Sequence, residues 1–454
     1  MKKYLFKTEN LFLIICLFWG ILFLLINPPF QAPDEPEHLF KMWGYTNGKL
    51  NFSKQNNWSG QTLPVSFINI DEYYKVFKLH KETKVPLKDL AFIAKTQLEK
   101  NKTAFHIFIP TSYTPVSYFP SFLVLWVLKI LNFTPLSIIY IMRFCSLLVY
   151  LALCYYAIKI TPVKKQMFLL FSALPLCLYQ AGSINTDCVC FGSMMVFFAY
   201  TFRLIFEKRT ITTKQIIKFG LLVLLICILK YAYAPLVLLY FLIPKNKFEK
   251  PENYYKYFFI ILLASLVYIT CFILYVNKIS SNTTNIYSHL VVKKSILIKD
   301  ILIHPFNYLK IVCYTTVKFG KFFFYNVISS FGCNSAMIPN LAANLYWFVL
   351  ILSAMYSPDT EKNCYLTVKN KFITTSCIIL IYLSVVTSVY LLFQYTPLIK
   401  GIQGRYLLPA VFLFLMLFIN QKIVLKNKIL TVLFFIISQI VLYLSLITLI
   451  ITFY

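Results

Sequence analysis

Acidic side chains are scarce in this sequence: sixteen of 454 residues are Asp or Glu, and charged residues of both signs make up only 13%. Soluble chains carry about a quarter charged residues. The shortage excludes a water-soluble globule and a disordered chain, and also a nucleic-acid binder, which needs a wet basic face. No CxxC pair occurs, and the twelve cysteines lie mostly inside apolar stretches, with Cys188 and Cys190 too close for a simple bridge. Neither a disulfide framework nor a zinc site is indicated. No small-residue cleavage site follows the basic start and first apolar run; Pro28 and Pro29 come instead, so the run is expected to stay as an uncleaved first span. There is no fixed-period repeat and no polar tract large enough for a separate soluble domain, so residues 1–454 are expected to form a single polytopic membrane domain.

Apolar residues fill the rest: 59% are hydrophobic and 18% aromatic, and the mean hydropathy is +0.70. Apolar segments cover about 11–27, 116–131, 135–158, 166–183, 188–206, 217–243, 257–276, 308–328, 341–356, 372–393, 405–420 and 429–453. A crossing needs ~20 residues and several segments are short, so the expectation is an all-α integral membrane bundle with 11 to 13 transmembrane helices. The net charge of +28 is carried by 44 basic residues, which gather in loops as the positive-inside rule requires. Lys2, Lys3 and Lys7 precede the first span. Later groups are Lys159/Lys164/Lys165, Lys208/Arg209/Lys214/Lys218, Lys245/Lys247/Lys250/Lys256, Lys362/Lys369/Lys371 and Lys422/Lys426/Lys428. This places the N-terminus in the cytoplasm.

Residues 28–115 break the apolar rhythm. They form a large polar loop holding eight of the sixteen acidic residues, and they lie outside if the N-terminus is inside. Its eleven lysines do not object, because the rule fails for loops beyond ~60 residues. A second outer loop is expected at 277–307, with His289, Lys293, Lys294, Asp300 and His304, and further outer stretches at 331–340 and 394–406. One conflict remains. If 116–131 and 135–158 both cross, Lys159, Lys164 and Lys165 fall outside, so either 116–131 does not cross, a crossing is hidden, or that loop breaks the rule. The 217–243 segment is flanked by lysines on both sides and interrupted at Lys230-Tyr-Ala-Tyr-Ala-Pro235, which suggests a hairpin of two half-helices with its tip at the outer face.

Chemistry concentrates in a few places. After the first span comes Gln31-Ala-Pro-Asp34-Glu35-Pro-Glu37-His38-Leu-Phe-Lys41. A helix starting near Asp34 puts Asp34, His38 and Lys41 on one face, and a carboxylate beside apolar walls and a histidine suits a general base. The bland alternative is a capping box of Asp34 and Glu37. Asp187, in Ser183-Ile-Asn185-Thr-Asp187, is the one acidic residue embedded between apolar spans; such a group is costly and functional by default, unless it caps the helix that starts at Cys188. Lys230 either snorkels to an interface or faces a lipid-phosphate cavity. Arg405, in Gly404-Arg405-Tyr406-Leu-Leu-Pro409, suits bidentate phosphate contact or anchors a span. Tyr113 and Tyr118, in Tyr113-Thr-Pro115-Val-Ser-Tyr118-Phe-Pro120, fit a substrate wall or a plain aromatic belt. All of these map to the outer interface. Carboxylates beside a cationic cradle suit sugar transfer from a lipid phosphate to a hydroxyl, the carboxylate taking the acceptor proton and the cations holding the phosphate.

Taken together, Pro33-Asp34-Glu35…His38, Tyr113-x-Pro115…Tyr118-x-Pro120, Ala173-Leu-Pro175…Ser183-x-Asn185-x-Asp187 and Gln403-Gly404-Arg405-Tyr406…Pro409 resemble the DUF2142 family of predicted bacterial membrane proteins over roughly 10–450. That family is similar in layout to GT-C fold glycosyltransferases. The resemblance implies a GT-C-like bundle with a helical first outer loop, in the bacterial cytoplasmic membrane. It implies a transferase that takes a sugar from a polyprenyl-phosphate donor to an envelope glycan or polymer at the outer face. It places Asp34 or Glu35 at the position of the base and Asp187 as a second acid. His38, Lys41, Tyr113, Tyr118, Lys230, Arg405 and Tyr406 are the expected substrate contacts. Lys41 stands where that family suggests an arginine. Some GT-C enzymes use a divalent cation such as Mg or Mn and others do not, and the acidic spacing names no metal ligands. The competing functions are a lipid-linked glycan polymerase or ligase, which places its working residues in a large late loop, and a lipid-glycan flippase or transporter, which needs ionisable groups along a through-path.

Overall fold

A computed structural model describes residues 7–420 and 429–454, apart from 52, 56–57, 80–81, 109–112, 281–293, 333, 359–360, 362–363 and 394–397. Lys2, Lys3, His289, Lys293, Lys362, Lys422, Lys426 and Lys428 lie outside the described residues, as does part of the 394–406 stretch. The chain is an all-α polytopic membrane protein. Among the described residues, six helices are long and apolar enough to cross a membrane: α1 (Thr8–Ile26), α6 (Pro135–Ile160), α9 (Asp187–Phe206), α11 (Tyr254–Ser280), α15 (Val368–Phe393) and α17 (Ile429–Phe453). Large apolar side chains stay exposed along their outer faces, such as Ile14, Phe18 and Leu25 of α1 and Phe259, Leu263 and Val267 of α11. A band of this kind suits hydrocarbon rather than water. Helix α9 is different: nearly every side chain is buried, and it packs chiefly against α6.

The polar segment that follows α1 carries α2 (Glu35–Thr46), α3 (Val65–Leu79) and α4 (Leu87–Ala94). It is not wholly helical as expected. Strands β1 (Ser53–Gln55), β2 (Trp58–Pro64) and β3 (Thr103–Ile107) form an antiparallel sheet with β2 in the middle, in a register that pairs Gln61 with His106. Segment 28–115 also has a core of its own, built from Phe30, Phe40, Trp43, Phe67 and Tyr74, and it extends onto Ile138 and Met142 of α6.

The conflict over 116–131 resolves in favour of no crossing. A 3-10 turn at Pro115–Tyr118 leads into α5 (Ser121–Ile130), whose ten residues reach only about 15 Å. The chain then crosses once through α6, which returns Lys159, Lys164 and Lys165 to the end of the bundle where α1 begins. Lys165 pairs there with Glu9 at 3.3 Å, and Lys164 donates to the Tyr356 carbonyl at 2.6 Å. The expected 166–183 span is two short helices, α7 (Lys165–Ser172) and α8 (Pro175–Ala181), broken at Ala173-Leu174-Pro175. Proline at the start of α8 lacks the N–H that would continue α7.

The 217–243 hairpin is present. α10 (Thr213–Leu229) ends at Lys230, whose backbone is extended, and a 3-10 helix (Tyr231–Leu242) returns. The two feet meet where Ile211 bridges Phe248, the Ile211 N–H donating to the Lys247 carbonyl at 2.7 Å. Lys247 in turn donates to the Glu207 carbonyl at 2.8 Å. The remaining helices are α12 (Lys294–Ile303), α13 (Pro305–Asn326), α14 (Asn340–Met355) and α16 (Leu408–Met416). Lysine-rich connections thus collect at one end, and the C-terminus of α1, the N-termini of α2 and α9 and the Lys230 tip collect at the other.

A buried ion pair fixes that second end. Arg143 of α6 and Glu35 of α2 both have side-chain exposure of 0%. The guanidinium donates side-on, Nε to Oε1 and Nη2 to Oε2, both at 2.7 Å. Its remaining donors go to the carbonyls of Leu24 at 3.3 Å, Asn27 at 2.6 Å and Pro28 at 2.8 Å, and the Ile184 N–H donates to Glu35 at 3.0 Å. A buried pair is stable only when such extra hydrogen bonds complete it. Removing one partner leaves the other charged, dry and alone. We therefore expect Arg143→Met or Glu35→Gln to cost about 3–5 kcal/mol, read as a lowered melting temperature in detergent and less protein in the membrane. The Glu35→Leu/Arg143→Met double variant should recover only part of that loss, because the carbonyls of Asn27 and Pro28 and the Ile184 N–H stay unpaired.

Candidate functional site

Beside Glu35, the chain turns Asp34 outward. Asp34 sits in the left-handed backbone region, with φ of +59°, which aspartate tolerates better than most side chains. It is the residue before α2, but its side chain makes no capping hydrogen bond, so the capping-box alternative fails. Its carboxylate instead accepts from Arg405 Nη2 at 2.6 Å. Asp187 opens α9, and the capping it was suspected of is done by Asn185, whose Oδ1 accepts from the Cys188 N–H at 3.2 Å. Asn185 is itself held by its own amide, which donates to the Gln180 carbonyl at 2.7 Å and to Ser183 Oγ at 2.7 Å. Asp187 is thereby free to accept from Arg405 Nη1 at 3.0 Å and from Lys230 Nζ at 3.4 Å.

Two cations and two carboxylates, drawn from four separate segments, therefore alternate within one cluster. Asp187 and Arg405 are buried, with side-chain exposures of 3% and 4%, whereas Asp34 is 52% exposed and faces the opening. Tyr406 floors the cations: its ring lies 4.4 Å below Lys230 and 5.2 Å from the Arg405 guanidinium, and its hydroxyl accepts from Arg405 Nη2 at 3.3 Å. Tyr233 locks this floor by donating to the Tyr406 carbonyl at 3.2 Å. Such ring contacts hold a cation without neutralising it. The Gly404-Arg405-Tyr406 turn is a 3-10 helix pressed against the end of α13, where the Gly404 N–H donates to Asn326 Oδ1. A Cβ at position 404 would lie 2.4 Å from the Asn326 backbone, so glycine is required there.

The second wall is aromatic. His38 is buried, and its Nδ1 is 2.8 Å from the Tyr118 hydroxyl. Tyr113 and Tyr118 lie 5.5 and 5.6 Å from the imidazole, and Tyr45 donates to the Tyr113 carbonyl at 3.1 Å. Burial pushes the imidazole down to about 4 against the pull of Asp34, so it is neutral at pH 7. Burial acts on Asp34 in the opposite sense, raising it, but Arg405 and His38 outweigh that and hold the carboxyl below its ordinary range. Glu37, in the first turn of α2, is raised to about 6 by burial. Lys41 is buried one turn beyond His38, 6.0 Å from the Tyr45 ring, and burial lowers it to about 7.

The structure thus brings together Asp34, Asp187, Lys230, Arg405 and Tyr406, with His38, Tyr113 and Tyr118 alongside. Glu35 does not join them. The resemblance made it an alternative to Asp34 as the base, but both its oxygens are spent on Arg143 and the Ile184 N–H, with no path to solvent. Lys41 faces Tyr45 rather than the cation cluster. Arg143 is the residue that sequence reasoning missed. Its signal was a lone arginine in the apolar run Ile141-Met142-Arg143-Phe144, as diagnostic as a lone carboxylate.

The donor set does not fit a divalent cation. Among the described residues, no three of His, Cys, Asp and Glu converge as ligands. The two carboxylates that do approach one another already share the Arg405 guanidinium, which occupies the place a metal would need.

Residues 17–413 match the model of the DUF2142 family, described as predicted membrane proteins. No curated protein and no solved structure matches the chain. A match over this share of its length, together with a bundle of apolar helices, settles the family: the chain is a member of DUF2142, a family of predicted membrane proteins.

Proposed function

We propose that the chain is a GT-C-type membrane glycosyltransferase. It moves a sugar from a polyprenyl-phosphate donor to a hydroxyl of a cell-envelope glycan or polymer, at the outer face of a bacterial cytoplasmic membrane, with its N-terminus in the cytoplasm. The observation that carries this reading is Arg405 held between an exposed carboxylate and a buried one, at the end of the bundle remote from the lysine-rich connections. In the reaction the acceptor oxygen bonds to the sugar's anomeric carbon. The bond from that carbon to the phosphate oxygen breaks, and its electron pair leaves on the phosphate. Asp34 accepts the hydroxyl proton. Arg405 and Lys230 receive the phosphate and its growing charge. Asp187 stays buried and keeps the two cations in place. His38 is neutral at pH 7 and, with Tyr118, lines the acceptor side.

The gathering of the lysine-rich connections at the end of the bundle opposite the Arg405 cluster also supports the orientation, since basic loops favour the cytoplasmic side. A through-path of ionisable groups, which a flippase would need, is not what the cluster resembles: its charges are closed on one another at one end.

Asp34→Asn should lower transfer from a polyprenyl-phosphate-linked sugar by about 10²-fold or more, with normal amounts of protein in the membrane, whereas Asp187→Asn, which leaves Arg405 and Lys230 without their buried partner, should lower transfer and also lose some protein. Glu35→Gln should instead lose protein along with activity. Undiminished transfer in both aspartate variants would remove the carboxylate-base mechanism. Stability should also depend on His38. Its folded value, about 4, lies below the ordinary 6.5, so the unfolded chain takes up the proton first. The contribution is complete above pH 6.5 and is lost as pH falls toward 4. The melting temperature of the wild type should therefore drop more between pH 7 and pH 4.5 than that of His38→Gln; equal drops would show that the imidazole is not buried as described.

A further inference from the structure

The chain holds two buried arginines, and they are not equally satisfied. In Arg143 the side-on edge, Nε with Nη2, is filled by both oxygens of Glu35. In Arg405 the same edge is half used: Nη2 donates to Asp34, while Nε is buried and donates to nothing among the described residues. A buried donor without a partner costs free energy comparable to a lost hydrogen bond. Such a donor calls for an explanation, and an anion that completes it is one. The opposite donor, Nη1, is committed to Asp187, which Lys230 also holds. The carboxylate on the open edge, Asp34, is the exposed member of the cluster and is held by one bond only.

We propose that the Nε–Nη2 edge of Arg405 is an oxyanion subsite that Asp34 half-occupies at rest, and that a phosphate monoanion or dianion seated there takes both donors and displaces Asp34. The proposal rests on the transferase reading only for its consequence: donor binding would itself release the base. A tetrahedral phosphate offers two oxygens at the spacing of that edge, as the Glu35 carboxylate does on Arg143. Asp34 offers one. The incoming anion therefore gains a hydrogen bond that the resident one does not make. Lys230, over the Tyr406 ring and only 3.4 Å from Asp187, can give a second contact without leaving its floor. The displaced carboxylate is left beside the neutral His38 and open to solvent. Without a donor, Asp34 stays clamped by Arg405 and is a weak base, which guards against proton abstraction from water or acceptor in the empty site.

The test is direct binding to the full-length protein in nanodiscs, with three probes: farnesyl monophosphate, farnesol and inorganic phosphate. Removing the resident anion should help the phosphate. Asp34→Asn is expected to bind farnesyl monophosphate about tenfold tighter than wild type, while farnesol binding stays the same. Asp34→Gly, which suits the left-handed backbone, should tighten it likewise and serves if the asparagine variant fails to fold. Arg405→Lys keeps the charge but loses the fork, so it should bind the phosphate more weakly and show no tightening when combined with Asp34→Asn. Tightening for inorganic phosphate as well would assign the subsite to free phosphate as much as to a lipid-linked one; tightening for the farnesyl ester alone would assign it to the lipid-linked form. Unchanged or weaker binding in both Asp34 variants, with wild type binding normally, overturns the displacement and leaves the transferase reading standing. Failure of wild type and variants alike to bind the farnesyl ester overturns both.

Discussion

Everything at the working end of the bundle is referred to the Glu35–Arg143 pair. Five carbonyl or carboxylate oxygens converge on one guanidinium that has no exposed surface, from the end of α1, the residues just after it and the start of α2, and the Ile184 N–H ties Glu35 to the approach to α9. In a low-dielectric interior the pair cannot loosen by degrees, since each lost hydrogen bond uncovers part of a charge. The chain on either side of Glu35 is therefore held rigidly. That rigidity lets the preceding residue, Asp34, occupy a left-handed conformation with its carboxylate turned away from the helix it precedes. A neighbouring pair of acidic residues has been divided in this way: one is fixed in the dry interior, and one is placed at the opening.

Arg405 plays the complementary part. Its backbone is set by glycine against the end of α13, its ring neighbour Tyr406 is pinned by Tyr233, and its fork reaches two carboxylates more than 150 positions apart in sequence. No element contributes more than a few atoms to the cluster. The fold's work is to bring loop ends together, which is the usual way a rigid scaffold carries a site on its connections.

Much of this was legible in the sequence, for definite reasons. Asp187 stood out because a carboxylate between apolar runs has to be paired, and Lys230 because a cation in the middle of one has to be explained. The Lys230 hairpin followed from lysines at both of its feet and from Pro235. The helices that line up well with the apolar runs are those without breaks, such as α17 at Ile429–Phe453. Segments that merely average as apolar were harder: 116–131 is too short to cross, and 166–183 is split at Pro175. The sheet at 53–107 was not anticipated, because its strands are short and polar. Spacing alone could not separate Asp34 from Glu35. Adjacent residues on a helix start have equal claims until the partner is known, and that partner, Arg143, lies more than a hundred residues away.

The hairpin that delivers Lys230 has a further property. Its outgoing leg is seventeen residues of α-helix, about 25 Å long, and its return leg is twelve residues of 3-10 helix, about 24 Å long. Two windings of different pitch have been cut to the same height. The device behaves as a ruler standing on the lysine-bearing base, and its tip depth is set by residue count alone. Adding one residue to either leg would mismatch the two by 1.5–2 Å, so evolution can vary the side chains of this hairpin far more freely than its length.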